Sequence, residues 1–566
     1  MLKSLVSHLF ARPPAADDHY RRGTAAYRGG EAGLAADHFR QALRIEPGHA
    51  NAWNDLGLAL CAMRDFTAAR DAFEQATARD PSHVVALLNL AQLLRHETFD
   101  YSAAEALYRQ VLALEPGRIE ALTGIGLSLQ EQGMATEAAD WYREALRRDP
   151  QNRDAWQFLL FALNLLPDQS PDDVFADHLR GGEAILGSQP APSGPRRKRP
   201  AGMRIRVGFV SGDFRAHSTA SFLLPLLRHL DRSRFDVWCY STLPAGDPAS
   251  AQFMALAEHW CEIYALPDEV AARAIGDAAI DVLVDLSGHT LGNRLGVFAH
   301  RPARAAVSWL GYLNTTGLAS IDCRITDALA DPPGASEAFH SEHLLRLPST
   351  QWCFEPPADA PAVVLPDPAS SAGGTKKVVF VSCNHVAKLN ARVLGLWGRL
   401  LVHIPASRLL VLGVPGEPAR QRIAQALAGQ GVGPERVEFH GRLPRARYWQ
   451  AISGADIALD PFPYNGGATT CECLWMGLPV ITLAGRFGFA RTGASILGAV
   501  GLSDLVAQND EAYLQCAARL AGDPAALGAI RSGLRARMLA SPLLDAPGFA
   551  RAFEAALLHT LEHARC

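Results

Sequence analysis

No stretch of this sequence approaches the roughly 18–20 consecutive apolar residues that a membrane-crossing helix needs. The first ten residues carry one lysine and an apolar run broken by Ser7 and His8, a poor pattern for an export signal. The expectation from both absences is a cytoplasmic protein with no membrane partner. An excess of basic charge is also missing. The formal net charge is −4, so no global positive field points to nucleic acid. The ten cysteines contain no CxxC pair, and a chain this long needs no disulfide staples, so free thiols in a reducing compartment are expected. Cys471 and Cys473 form a CxC pair without a second Cys or His cluster nearby, which predicts burial in a helix rather than metal binding. No GxGxxG turn follows Val210 or Val381, and no GxxxxGK[ST] occurs. These absences speak against a dinucleotide cofactor and a P-loop.

What is present begins with a repeat. Pro47, Pro81, Pro116 and Pro150 are spaced by 34, 35 and 34 residues, and each follows an acid: Glu46, Asp80, Glu115 and Asp149. The preceding segments HFRQALRIEP, AFEQATARDP, LYRQVLALEP and WYREALRRDP align with one another. The period resembles the tetratricopeptide repeat. Trp53, Leu56, Gly57, Leu60, Ala69, Phe73, Ala76 and Pro81 fall on its signature positions, as do Leu122, Ile125, Gly126, Leu129, Ala138, Tyr142, Ala145 and Pro150. Small residues let paired antiparallel helices approach, aromatics such as Phe73 and Tyr142 are expected to fill the gap to the next unit, and proline stops the second helix. One extra residue near Phe99–Tyr101 accounts for the 35-residue spacing, and an incomplete fifth unit is expected from about Arg153 to Pro167. Such arrays bind extended peptide, or serve as a scaffold or dimerisation arm.

A run rich in Pro, Gly and Arg, residues 187–203, marks a boundary after the helical first third, residues 1–186. Its basic stretch Arg196–Arg199 reads as a solvated linker face, with phosphate or nucleic acid binding as the alternative. From Arg204 the texture becomes short β-branched runs alternating with helices: RIRVGFVSGDF, FDVWCYS, DVLVDLSG, AAVSWLGY and CRITD. After a second Pro/Gly/Ser-rich stretch come KVVFVSCN, SRLLVLG, RVEFHG, ADIALDP and LPVITLAG. This predicts two Rossmann-like halves, 204–365 and 366–545, and a C-terminal helix over 546–566.

The segment DPFPYNGGATTCECLWMGLPVITLAG, Asp460–Gly485, places a Gly- and hydroxyl-rich loop before a short helix. Unpaired amides and a partial positive charge at a helix N-terminus suit a phosphate. Gly466 and Gly467 permit close approach, Thr469 and Thr470 add hydroxyl donors, and Glu472 is placed to accept ribose hydroxyls. The alternative is a structural cap and turn. This segment resembles the nucleotide-diphosphate loop of the O-linked N-acetylglucosamine transferase family, with Glu472 for an Asp and Ala468 for a His of animal members. GFVSGDFRAHSTA (208–220), DLSGHTLGNRLGVFAHRPARAAVSWLGYLNTTG (285–317) and VSCNHVAKLN (381–390) are similar to three further blocks of that family. The resemblance spans most of 204–545 together with the repeats, and it implies an α-solenoid of tetratricopeptide repeats followed by an α/β GT-B catalytic region.

The resemblance implies these roles. Lys388 matches the lysine that contacts the diphosphate and stabilises the leaving group. His217 matches a histidine near the acceptor, which takes the hydroxyl proton or positions sugar and acceptor. Leu443 and Arg445 contact the base, Tyr448 replaces a stacking histidine, and His385 replaces a glutamine of the nucleotide pocket. Asn89 stands at one position of a peptide-holding asparagine ladder whose other positions are Arg21, Asp55, Gly124 and Phe158. No Asp-x-Asp pair occurs, which speaks against a metal-clamped diphosphate, so the expectation is a UDP-sugar donor with no metal and no cofactor. The implied activity is inverting transfer of N-acetylglucosamine from UDP-N-acetylglucosamine to Ser or Thr of proteins, the acceptor being delivered by the repeat groove. Two alternatives stay open: another UDP-sugar or a non-protein acceptor, and a non-enzymatic adaptor that only binds nucleotide.

Overall fold

The repeats form because each unit supplies two amphipathic stretches and a proline stop, and the second and third units also cap both of their helices. A computed structural model describes residues 15–187, 202–244, 246–364 and 378–563. Paired helices run Ala16–Arg28 and Ala32–Ile45, Ala50–Ala62 and Phe66–Arg79, then Val84–Leu93 and Tyr101–Leu114, then Ile119–Glu131 and Ala135–Arg148. The caps recur with the period: the His49 and His83 rings accept from Ala52 and Ala86 amides, and Asp65 and Asp100 accept from Ala68 and Ala103. Each satisfies an amide that the helix leaves unpaired. The extra residue is taken up by a π-helical turn, Leu94–Thr98, closed by Phe99 at φ 56°. The aromatics also pack within the unit. Phe39, Phe73 and Tyr142 cover glycines of their own unit, so that a Cβ at Gly23, Gly57 or Gly126 would fall 2.3–2.6 Å from the ring. Tyr108 alone of these four covers the following unit, at Gly124.

The chain divides into two compact units, the residues up to Gln132 with Asp140–Arg148, and Gly133–Ala139 with Asp149 onward. The boundary expected at 186 therefore falls inside the second unit. The helices Arg153–Leu163 and Pro171–Leu186 pack on the α/β body of this second unit. The Tyr312 hydroxyl donates to Leu160 O at 3.0 Å and lies 2.7 Å from His178 Nε2, and Asn314 Nδ2 donates to Asn164 Oδ1 at 2.9 Å. Helix and loop meet backbone to backbone, since a Cβ at Gly182 would lie 2.2 Å from Gly317 O. Periodicity identifies a helix but not the body it packs on. The Trp156 indole still donates to Pro150 O at 2.9 Å, as Trp53 does to Pro47 O at 3.0 Å, so the start of a fifth unit is retained. The basic run Arg196–Arg199 lies outside the described residues.

Two parallel sheets build the rest of this unit. The first contains β1 (Ile205–Ser211), β2 (Phe235–Ser241), β3 (His259–Glu262), β4 (Val282–Asp285), β5 (Ala305–Ser308), β6 (Cys323–Asp327) and β7 (His343–Leu347), in the order 3-2-1-4-5-6-7. The second contains β8 (Val379–Ser382), β9 (Arg408–Val411), β10 (Val437–Phe439), β11 (Ile457–Leu459), β12 (Val480–Leu483) and β13 (Val506–Ala507), in the order 10-9-8-11-12-13. The central strands are buried on both faces, as parallel sheets covered by helices require. The final helix, Ala546–His563, returns to the first sheet: Phe553 lies 4.9 Å from Trp309 and 6.4 Å from Phe209 between ring centroids, and buried Glu554 accepts the Asp231 amide at 2.8 Å. Among the described residues no helix is long and apolar enough to cross a membrane.

Candidate active site

In an open parallel sheet, ligands bind beyond the carboxyl ends of the strands where the strand order reverses. Here the reversals lie between β1 and β4 in one sheet and between β8 and β11 in the other. The loop after β1 carries His217, the loop after β8 carries His385 and Lys388, and the loop after β11 carries Gly466 and Gly467. The two sheets thus present their candidate residues at their topological switch points.

The loop after β11 leads into the helix Ala468–Trp475. Its first intrahelical amide is that of Cys471, which donates to Gly467 O at 3.1 Å, so the preceding amides have no helical acceptor. Gly466 admits no side chain. An added Cβ would lie 2.6 Å from Thr470 Oγ1, 2.7 Å from Thr469 Oγ1 and 2.9 Å from Asn384 Oδ1. Gly467 faces open space, which leaves room for a ligand to approach. Thr469 Oγ1 donates to Asn384 Oδ1 at 3.1 Å and so ties the helix start to the β8 loop, while Thr470 Oγ1 is buried without a protein partner. Cys471 and Cys473 are buried in this helix, as the sequence predicts.

Lys388 ends a short 3-10 turn, Val386–Lys388, whose cap is the His385 ring, with Nδ1 accepting the Ala387 amide at 3.2 Å. Its Nζ donates to Asn465 O at 2.8 Å and stands 4.4 Å from the centre of the Tyr464 ring. Burial pulls its pKa down to about 8, against the opposing pull of Asp460. Asp460 is buried and accepts the Gly466 amide and the Thr482 hydroxyl, each at 2.7 Å. Burial pushes its pKa up to about 7, with those two bonds and Lys388 opposing.

On the far side of the same helix, the Tyr448 hydroxyl donates to Glu472 Oε2 at 2.7 Å. The acid expected to meet a ribose therefore has one oxygen already engaged. Burial raises the Glu472 pKa, opposed by the Tyr448 bond and Arg445. Arg445 pairs with Asp359 at 2.7 Å and lies 5.3 Å from the Trp449 ring centre, and Leu443 packs partly buried against the core. Tyr448 thus meets the helix Ala468–Trp475 at Glu472, and Lys388 meets the loop before it at Asn465. His217 belongs to the other half, and its side chain is 41% exposed. Its Nδ1 lies 3.1 Å from Thr219 Oγ1 and 3.5 Å from Asp213 Oδ2. Crowding in this loop lowers its pKa, with Asp213 opposing and Arg215 adding to the effect. Asn89 is in the repeat unit, where its amide donates to Asn54 Oδ1 at 2.8 Å. Asn54 donates in turn to Asp55 Oδ1, and Asp55 Oδ2 accepts from Tyr20 at 2.9 Å. A short polar ladder exists, therefore, but its groups bond one another. Sequence reasoning missed Asp460, Asn465 and Asn384. The first two stand inside the quoted DPFPYNGG motif and Asn384 beside His385, so position was the available signal.

A family model described as glycosyl transferase family 41 matches residues 184–355 and 366–553, and one described as the cytochrome c-type biogenesis protein H TPR domain matches 36–155. The chain is 38% identical over 419 residues to a Solanum lycopersicum protein named "Probable UDP-N-acetylglucosamine--peptide N-acetylglucosaminyltransferase SPINDLY", covering 72% of this chain and 44% of the relative. It is 30% identical over 362 residues to the similarly named SEC of Arabidopsis thaliana, covering 62% and 37%. This chain thus spans less than half the length of these curated relatives. A solved structure of a mutant O-GlcNAc transferase from Thermobaculum terrenum superposes with a TM-score of 0.84 at 30% identity, covering 91% of this chain and 98% of that one. The family match runs across both sheets and takes in every switch-point loop that carries a candidate residue, and by it the chain belongs to glycosyl transferase family 41.

Proposed function

We propose that the protein is an inverting glycosyltransferase that moves N-acetylglucosamine from UDP-N-acetylglucosamine to Ser or Thr hydroxyls of proteins, with the repeat array guiding the polypeptide. The observation that carries this reading is the ammonium of Lys388 beside the loop that opens the helix Ala468–Trp475. A diphosphate seated on the free amides of that helix would have a fixed cation next to it. In the reaction the acceptor oxygen bonds to the anomeric carbon as the bond from that carbon to the diphosphate oxygen breaks, and the electron pair leaves with UDP. The negative charge that builds there is what Lys388 and the helix end would stabilise, without a metal ion. The acceptor's proton goes to His217, to a diphosphate oxygen or to water. Thr470 Oγ1, buried and unpartnered, would gain its missing bond from a phosphate oxygen. Tyr448 and Leu443 would cover the base, and Glu472 would take ribose through its second oxygen. The relatives' names and the family membership support the same chemistry.

A second reading keeps the transfer but changes the donor. The bond between Tyr448 and Glu472 joins two of the positions that depart from the animal pattern, so the base and ribose contacts are the part of the site least constrained by the resemblance. Incubation with UDP-N-acetylglucosamine and a panel of uridine and guanosine diphosphate sugars, in a cell lysate, tests both by peptide mass spectrometry. Hexosamine-sized additions on Ser or Thr support the first reading, and a different mass increment supports the second. No transfer from any donor refutes both.

A further inference from the structure

Asp460, inside the second switch point, is used by neither reading. The carbonyl that Lys388 Nζ bonds, Asn465 O at 2.8 Å, and the amide that Asp460 Oδ1 bonds, Gly466 N at 2.7 Å, are the two ends of one peptide group. A cation and an anion therefore grip the same peptide from opposite sides. Hydrogen bonds in such a chain polarise one another, so each strengthens the next. We infer that Asp460 is a positioning residue that acts through the Asn465–Gly466 peptide to hold the Lys388 ammonium in place and charged. The inference rests on the reading of Lys388 as the group facing the diphosphate.

The surroundings give Asp460 no other evident purpose. It is 1% exposed, and its second oxygen accepts the Thr482 hydroxyl at 2.7 Å. A Cβ at Gly493 would come within 2.7 Å of that same oxygen, so the neighbouring helix is cut back to admit the carboxylate. The remaining bonds stiffen the peptide that links the pair. Asn465 Nδ2 donates to Pro461 O at 2.9 Å, Asn465 Oδ1 accepts the Gly493 amide at 3.4 Å, and the Tyr513 hydroxyl donates to Asp460 O at 3.3 Å. Among the described residues, the titratable groups facing Lys388 are Asp460 and Tyr464. Tyr464 is neutral at working pH because burial pushes its pKa up to about 12, which leaves Asp460 as the counter-charge. An unpaired ammonium held out of water would lose its proton, and a neutral amine could not offset charge on a leaving diphosphate.

Asp460→Asn separates charge from shape. The amide oxygen can still accept from Gly466, and its NH2 can donate to Thr482. The readout is the titration of Lys388, followed by competitive acetylation of the intact protein across pH 6–11 and peptide mass spectrometry, which needs neither donor nor turnover. The Lys388 midpoint should fall by about one pH unit in the variant, the lower end of what an opposite charge at close range supplies. The alkaline limb of the transfer rate should move down with it. A merely structural aspartate would lower thermal stability and leave both midpoints where they are. Thr482→Val is the second variant. It removes one bond that keeps Asp460 ionised, and should move the Lys388 midpoint the same way by less. An unchanged midpoint in either folded variant overturns the inference. A shifted midpoint in a protein that transfers no sugar would uphold the linkage and refute the transferase reading instead.

Discussion

Replacing Lys388 by Met tests the centre of the proposed mechanism, because Met keeps the straight stem and the packing while removing the charge. In the folded protein the ammonium titrates near pH 8 rather than at the ordinary 10.5. Between those values the fold binds fewer protons than the unfolded chain, so the stability set by this group rises with pH across that window. Below it, holding the group charged costs on the order of 3 kcal/mol relative to the unfolded chain. Met relieves that cost and gives up the charged bond to Asn465 O, about 1.5–3 kcal/mol. The two nearly cancel, so the melting temperature near pH 7 should stay within about 3 °C of the parent. The rise in stability between pH 8 and 10.5 should flatten. Turnover should behave quite differently. A donor aimed at charge that develops in the transition state is worth about 10²–10³ in rate, while UDP affinity should fall less, since the helix-end amides and the Thr470 hydroxyl remain. Single-turnover transfer (or donor hydrolysis), UDP calorimetry and melting curves from pH 6 to 10.5 make the comparison. A variant that melts far below the parent yet keeps its rate per folded molecule would refute the reasoning and return Lys388 to a structural role.

Tyr448→Phe keeps the ring and removes the hydroxyl bond to Glu472, so UDP should bind within about tenfold of the parent. Tyr448→Ala should lose clearly more in the same calorimetric titration. UDP binding should survive EDTA, because Lys388 and the helix end supply the counter-charge, and complete loss in chelator would contradict this. A protein that begins at Asp149 should keep nucleotide binding, whereas one that begins at residue 187 strips Leu160, Asn164 and His178 from Tyr312 and Asn314 and should melt many degrees lower or aggregate. Equal melting of the two truncations would show that this helix pair is dispensable.

The repeat array was legible because its period is written in proline, glycine and aromatic positions that each have a local cause. Both halves were legible from their central strands, whose burial on two faces leaves continuous apolar runs. The short edge strands β3, β7 and β13 were not read, because HWCE and VA carry no such run and owe their form to a neighbour. Lys388, Thr469 and Thr470 stood out because their motif could be recognised. Asp460 did not, because its partners are a backbone amide and a hydroxyl 22 residues away, and neither leaves a spacing in the sequence. The helices Arg153–Leu163 and Pro171–Leu186 were found, but their bonds to Tyr312 and Asn314 were not. What decides their place is the fit of Gly182 against Gly317, a matter of backbone approach that no hydrophobic pattern encodes.

The returning helix Ala546–His563 bears on how the chain is made. Phe553 lies against Trp309 and Phe209, which are translated roughly 240 and 340 residues earlier. During synthesis at about 5–20 residues per second, the first sheet emerges well before the side chains that finish its core. For that interval Phe209 and Trp309 lack a covering they will later have, and the first half cannot reach its final packing as an independent cotranslational unit. A ribosome stalled in the second half would hold a nascent chain with this apolar face open, so the packing of the first sheet waits on residues that follow the second.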